Sequence, residues 1–114
     1  MKTNELTGAA LDWAVAKCEG EFTLAWFWDD CSGAEYMPSS NWQMGGAIIE
    51  REMITVECFY EESTWHAWTP APEQPRDAHG YGETPLEAAM RCYVASKLGD
   101  EIEVPEELLD FAHE

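Results

Sequence analysis

The sequence predicts an α+β fold, a small helix-sheet sandwich in which N- and C-terminal helices pack on an antiparallel sheet. Apolar residues recur at helical spacing near both ends, over 8–18 and 85–98, and strictly alternate with polar ones over 54–60. The 114 residues are 46% hydrophobic, which suits a single domain with one modest core. We therefore expect residues 1–99 to form one domain and residues 100–114 to form an acidic tail.

The C-terminal helix is the most strongly specified element. Thr84 is a good N-cap, Pro85 suits the first helical position, and Glu87 stands where a capping box needs an acid. Gly99 suits the left-handed position after the last turn. Because both ends are encoded locally, the remaining elements should cover the apolar face of this helix.

The N-terminal helix has similar start and stop signals. Thr7 can cap it, and Leu6 and Leu11 occupy the positions of a hydrophobic staple. The apolar stripe of this helix ends near Cys18, and Gly20 follows at its C-terminal boundary. The pattern predicts a helix that buries one face.

Residues 22–28 are apolar on both parities and aromatic, which is typical of a strand buried on two sides. Asp29-Asp30-Cys31 then predicts a turn at the strand end, and the same carboxylates beside a thiol leave a metal site as the alternative.

Residues 36–42 read as a loop that leads to a helix, with Ser39 or Ser40 as its cap. Two successive glycines, Gly45-Gly46, make a continuous helix costly, so the ordered part should be about 47–51. Glycines before a helix can also bind an anion, although no lysine, serine or threonine follows here as in a phosphate loop.

A β-hairpin is predicted for residues 54–60 and 64–69. The alternation places Trp65 and Ala67 on one face, and His66 and Trp68 on the other with Phe59. His66 could act as a ligand or a base, but a strand histidine between two tryptophans is more often simply packed or exposed.

The following stretch, 70–83, contains three prolines and two glycines and predicts a long loop. Its last part, His79-Gly80-Tyr81-Gly82, is either shaped for contact with a partner or a plain turn before the final helix.

Charge is the strongest global signal, with 23 acidic against 6 basic side chains. Such a surface repels phosphate backbones and anionic membranes and attracts basic proteins, so direct nucleic-acid or membrane binding is not expected. The absence of a long apolar run predicts a cytoplasmic protein. Cys18, Cys31, Cys58 and Cys92 are widely spaced, which favours small buried thiols over disulfides, and no metal or cofactor is expected.

Several blocks, in order, are similar to one known family. They are Leu6 to Ala16, Pro38-Ser39 with Trp42, Gly45 to Glu52, and Thr84 to Gly99. Together they span residues 6–99, more than half of the chain, and they resemble the phage NinX-like family, a domain of unknown function carried by lambda-like phages and prophages. The resemblance implies a phage origin and a helix-sheet sandwich, and it implies no active site.

Three classes of function follow. We expect a non-enzymatic phage accessory protein that binds a host or phage protein with a basic surface, as an acidic inhibitor or nucleic-acid mimic. The alternatives are an assembly protein that acts through homo-oligomerisation, such as a homodimer along an exposed strand, and a small enzyme, for which no nucleophile or metal motif is present. The predicted partner-binding residues are Glu57, Glu61, Glu62, Trp65, Trp68, Tyr81, Asp100, Glu101, Glu103, Glu106 and Glu107.

Overall fold

The computed structural model describes residues 1–28 and 36–108. Helices and strands follow one another as α1 (Gly8–Glu19), α2 (Glu21–Trp28), α3 (Trp42–Glu52), β1 (Thr55–Phe59), β2 (Thr64–Thr69), β3 (Ala78–Gly82) and α4 (Pro85–Leu98). Short 3₁₀ turns lie at Thr3–Glu5 and Tyr60–Glu62. The predicted α+β class is confirmed.

The sheet is antiparallel with strand order β1-β2-β3. Val56 pairs with Ala67, and Ala67 pairs with Gly80, so these three residues lie on one face. The long helix α4 packs along this face and touches all three strands. The predicted hairpin and the division of its side chains between two faces are confirmed.

Helix α4 begins and ends at the residues that its sequence predicts. The Thr84 hydroxyl accepts from the Glu87 amide at 3.1 Å, and Pro85 occupies the first turn. The Glu87 carboxylate accepts from the Glu83 amide at 3.2 Å instead of from the Thr84 amide of the predicted capping box. Gly99 has a positive φ of 88°, but its ψ of −169° differs from the predicted left-handed conformation. The body of α4 is buried on almost every side, since the sheet covers one side and α1 and α3 cover others.

Helix α1 packs mainly on α2 and α4. Leu6 and Leu11, the predicted staple, are both fully buried, and Gly20 ends the helix with a φ of 123°. Arg91 of α4 is buried beneath the start of α1, where its Nε donates to the Leu6 carbonyl at 2.9 Å and its Nη1 donates to the Tyr81 carbonyl. This arginine therefore ties the N-terminal segment, β3 and α4 together.

The strand predicted for 22–28 is wrong, because Glu21–Trp28 is the helix α2. A short run that is apolar on both parities fits a buried strand and a helix equally well. The helix packs on α1, and its first turn begins at Gly20, whose carbonyl accepts from the Leu24 amide at 3.0 Å. The helix is not deeply buried, and Phe22 is 94% exposed. The turn and the alternative metal site predicted at 29–31 lie outside the described residues.

The broken segment predicted around Gly45-Gly46 is also wrong, since α3 is continuous from Trp42. The cap is Asn41 rather than Ser39 or Ser40, and its side chain accepts from the amides of Gln43 and Met44. Gly45 is buried against the Pro38 carbonyl and the Leu86 side chain, so the glycine that costs helix propensity allows close packing.

The prediction of one long loop over 70–83 missed β3. Its glycines alternate with His79 and Tyr81, and Gly80 faces the backbone of α4 so closely that a side chain would not fit. Strand propensity alone disfavours these glycines, but the close approach of strand and helix requires one. The segment is therefore neither a free loop nor a plain turn before α4.

The outer edge of β3 is closed by one side chain. The Tyr81 amide donates to Asn4 Oδ1 at 2.9 Å, and Asn4 Nδ2 donates to the His79 carbonyl at 3.3 Å. The amide of Asn4 thereby takes the place of another strand. Beside it, the Thr3 amide donates to the Asp100 carbonyl at 2.8 Å, which fastens the N-terminus to the segment after α4.

The cysteines in the described residues are free thiols, namely Cys18, Cys58 and Cys92. Cys92 is buried as predicted, but Cys58 is exposed, as are most residues of β1. Cys31 lies outside the described residues.

Candidate functional site

The face of the sheet opposite α4 carries an exposed cluster of aromatic and imidazole rings. We call it the open face, and it comprises Glu57, Phe59, His66, Trp68, His79 and Tyr81. In the described part of the chain, no helix other than α4 forms an extended contact with the strands. Phe59 and Tyr81 are consequently 41% and 43% exposed.

A chain of hydrogen bonds crosses the open face from β1 to β3. Glu57 Oε1 lies 2.9 Å from His66 Nδ1, and His66 Nε2 lies 2.9 Å from His79 Nδ1. A carboxylate can only accept, so His66 Nδ1 carries the proton that is donated to Glu57. In the neutral ring, His66 Nε2 then accepts from His79 Nδ1, and His79 Nε2 is left as the acceptor at the end of the chain.

His66 is only 8% exposed although it lies on the open face. The Phe59 ring is nearly parallel to it with centroids 5.4 Å apart, and the Tyr81 ring lies at 4.8 Å. The two imidazoles are also close to one plane, at 7°. The rings therefore support one another and form a preorganised surface that needs little side-chain ordering to bind a partner.

The predicted acidic residues lie in two separate places around the sheet. Glu61 and Glu62 are in the exposed turn that joins β1 to β2. Asp100 lines a cleft together with His79 of β3, and the exposed Glu101 follows it. Trp68, the partner of His79, lies four residues along β2 from Thr64, which is about 13 Å, so the two acidic groups do not form one patch.

The other predicted site residues are divided between the two faces of the sheet. Trp68 and Tyr81 lie on the open face with Glu57, whereas Trp65 lies on the opposite face and packs against the core. The remaining acidic residues, Glu103, Glu106 and Glu107, are exposed in the segment after α4.

The predicted partner-binding residues do not include Phe59, His66 or His79. Phe59 and His66 alternate onto the face of Glu57 and Trp68, so the pattern of the hairpin already indicated their position. His79 belongs to the segment 79–82 that the sequence indicated as a possible contact, but its place beside His66 followed from a strand that was not predicted.

A family model described as "Bacteriophage P22, NinX" matches residues 2–97, which is most of the chain and includes the whole sheet. The chain belongs to the phage NinX family. No curated protein matches it significantly. The predicted resemblance to NinX is therefore confirmed.

The NinX-family fold also contains a cavity of about 520 Å³ between α1, α2 and the start of α4. Its lining combines the rings of Trp26, Phe27 and Tyr36 with the carboxylates of Asp12 and Glu87. Asp12 is 6% exposed and accepts from the Ser39 amide at 2.9 Å. Burial raises the pKa of Asp12 to about 6, although the hydrogen bond from Ser39 lowers it in part.

Asp12 should make this NinX-family protein less stable at neutral pH than in mild acid. Its pKa is higher in the folded than in the unfolded chain, so the folded state binds the extra proton between about pH 4 and 6. Stability should therefore fall as the pH rises through this window, by a total of about 3 kcal/mol. We expect Asp12→Asn to be more stable than wild type at pH 7.5 by up to this amount, with the difference disappearing below about pH 4.

Urea unfolding at a series of pH values measures this effect, and Asp77→Asn, which changes an exposed aspartate, is the control. A variant at position 12 that is less stable than wild type at every pH would contradict the prediction. It would mean that the charged bond to Ser39 outweighs the cost of burial.

Two general findings apply to the described residues, 1–28 and 36–108. No helix among them is long and apolar enough to cross a membrane. No three or more histidine, cysteine, aspartate or glutamate side chains among them are arranged to hold a metal ion.

Proposed function

We propose that this NinX-family chain is a non-enzymatic phage accessory protein that binds a host or phage protein with a basic surface in the cytoplasm of the bacterial host. The observation that carries the proposal is the open face. Its Phe59 and Tyr81 are exposed on rigid strands, and tyrosine and other aromatic residues are the ones that most often dominate binding energy.

The negative charge of the protein indicates the kind of partner that it binds. Glu61 and Glu62 lie in the turn at the tip of the β1–β2 hairpin, and Asp100 lies beside His79 of β3, within a chain of net charge −17. Such a field speeds encounter with a basic surface and disfavours acidic partners. A basic nucleic-acid channel of a nuclease, recombinase or defence protein would match it, and occupation of that channel would make the protein an inhibitor.

A binding role accounts for the hydrogen-bond chain better than catalysis does. Among the described residues, no hydroxyl or thiol group is hydrogen-bonded to His66 or His79, so the pair has no nucleophile to activate. Cys58, the thiol of β1, alternates onto the opposite face. The chain of hydrogen bonds instead holds the His66 and His79 rings in one orientation, which suits a surface that recognises a partner.

The test is capture of a partner from host lysate, followed by affinity measurements on the purified pair. Phe59→Ser with Tyr81→Ser should weaken binding at least about tenfold, because both rings lie on the open face. Phe22→Ser with Trp42→Ser is the matched control, since these exposed aromatics lie on other elements. Equal loss in both pairs, or no loss in the first, would contradict the proposal.

The role of charge needs a separate set of variants. Neutralisation of the acidic residues after α4 should reduce both the affinity and its salt dependence, and duplex DNA should compete with the wild-type protein for the partner. The changes are Asp100→Asn, Glu101→Gln, Glu103→Gln, Glu106→Gln and Glu107→Gln. The matched control neutralises five exposed carboxylates elsewhere, at Glu5, Glu21, Glu50, Glu73 and Glu83. If the two sets behave alike, or DNA does not compete, the acidic mimicry is refuted while the open face can still be the binding surface.

A further inference from the structure

The two edges of the sheet differ in a way that bears on how a partner binds. The β3 edge is closed by Asn4, which occupies the amide of Tyr81 and the carbonyl of His79. Strand β1 forms the other edge, and its backbone hydrogen bonds in the described part of the chain all go to β2. One edge is therefore capped and the other is open.

The position of Asn4 also reveals which backbone groups of β1 are unpaired. The backbone N–H and C=O groups of His79 and Tyr81 point outward from β3, so the backbone groups of Gly80 point inward to its partner Ala67. Backbone groups that point inward and outward alternate along antiparallel strands. The backbone groups of His66 in β2 therefore point to β1 and form hydrogen bonds with the backbone of its partner Glu57. The N–H and C=O groups of Val56 and Cys58 consequently point away from the sheet.

The surroundings of this edge favour a basic partner. Residues 54–69 contain Glu57, Glu61 and Glu62 and no lysine or arginine. An antiparallel second copy centred on Glu57 would place the two Glu57 carboxylates opposite one another, which is destabilising, and two chains of net charge −17 repel one another in any register. A lysine or arginine facing Glu57 would instead form a favourable cross-strand pair.

We infer that the β1 edge binds an extended basic segment of the partner protein as an added strand, which forms main-chain hydrogen bonds with Val56 and Cys58. This inference rests on the proposed function and specifies its binding mode. Main-chain bonds supply affinity in this mode, and alternate side chains of the added segment supply specificity. One row of those side chains would extend the open face beside Phe59 and Glu57.

A synthetic probe tests the inference without knowledge of the partner. We choose a capped six-residue peptide of alternating lysine and valine, with glutamate and valine as its acidic counterpart. The basic peptide should bind with a Kd below about 1 mM and should slow hydrogen exchange at the amides of Val56 and Cys58. The acidic peptide should not bind.

The matched variants are Cys58→Pro and Cys58→Ser. Proline removes only an outward N–H, which edge strands tolerate, whereas serine keeps it. The proline variant should bind the basic peptide at least about tenfold more weakly than wild type, and the serine variant should bind it with unchanged affinity. If the proline variant does not fold, exchange at Val56 and Cys58 in the wild-type protein decides the question.

The remaining outcomes overturn the inference in distinguishable ways. If the basic peptide binds the Cys58→Pro variant as tightly as wild type and leaves the amides of Val56 and Cys58 unprotected, strand addition is excluded. If the Phe59 and Tyr81 variants still abolish partner binding in that case, the proposed function stands without it. If the basic peptide does not bind at concentrations up to 1 mM, or if the acidic peptide binds equally well, the inference that the added strand is basic is refuted. A free protein that is dimeric with both amides protected would assign the edge to a second copy.

Discussion

Replacement of Gly80 by alanine is expected to abolish the native fold or to destabilise it by more than about 4 kcal/mol. A Cβ at this position would lie well inside contact distance of the Ala88 carbonyl oxygen and the Cys92 amide nitrogen. Both atoms belong to the backbone of α4, which cannot move away as a side-chain rotamer could. The clash would have to separate the helix from the sheet.

Urea unfolding followed by far-UV circular dichroism measures the loss, and Gly82→Ala is the comparison. A Cβ at Gly82 would lie 2.8 Å from the Glu87 carboxylate oxygen, the end of a flexible side chain, and 3.0 Å from the Ala88 amide nitrogen, which is a milder overlap with the backbone than at Gly80. We therefore expect a clearly smaller loss for this variant. A Gly80→Ala protein with a wild-type midpoint would show that α4 does not approach β3 as closely as described.

The second large effect is expected at Gly45, where alanine should cost about 3 kcal/mol. Its Cβ would overlap the Pro38 carbonyl and would lie 2.6 Å from Leu86 Cδ2. The overlap would push α3 away from α4 and from the loop that precedes α3.

The neighbouring Gly46 is a control within the same helix. A Cβ there would meet only the Trp42 ring, at 3.7 Å, which is ordinary contact. Alanine should therefore stabilise the protein by about 0.5–1 kcal/mol through its higher helix propensity. Adjacent glycines should thus respond with opposite signs, and a shared sign would contradict the packing at Gly45.

Helices α1 and α4 and the hairpin, whose signals are local, were predicted correctly, although the local cap signal of α3 was assigned to Ser39 or Ser40 instead of Asn41. The caps at Thr84 and Gly99 and the staple of Leu6 with Leu11 lie within a few residues of the helices that they define. The alternation of the hairpin is equally local. In contrast, residues 22–28 gave no period that separates strand from helix, and tertiary context decided.

Glycines account for the other two errors. In both α3 and β3 a glycine was interpreted through its backbone entropy, which disfavours regular structure. Gly45 and Gly80 are instead the points where two elements come closest. The partner atoms of Gly45 include Leu86, which is distant in sequence, so no local pattern could identify the contact.

The candidate site was predicted in its chemistry but not in its layout. Glu57, Trp68 and Tyr81 were selected from sequence and do lie on the open face. The segregation of Glu61 and Glu62 from Asp100 depends on strand order, which the sequence does not encode locally. The pairing of His66 with His79 depends on the same order.

The closure of one edge by Asn4 sets a limit on assembly. A sheet with two open edges could accept a strand at each side, and repetition would generate an open-ended fibre. With β3 closed, each molecule has a single acceptor edge, so growth stops after one addition. Any complex formed through β1 should therefore have a fixed one-to-one stoichiometry, and the Asn4 amide would protect the protein from polymerising through its sheet.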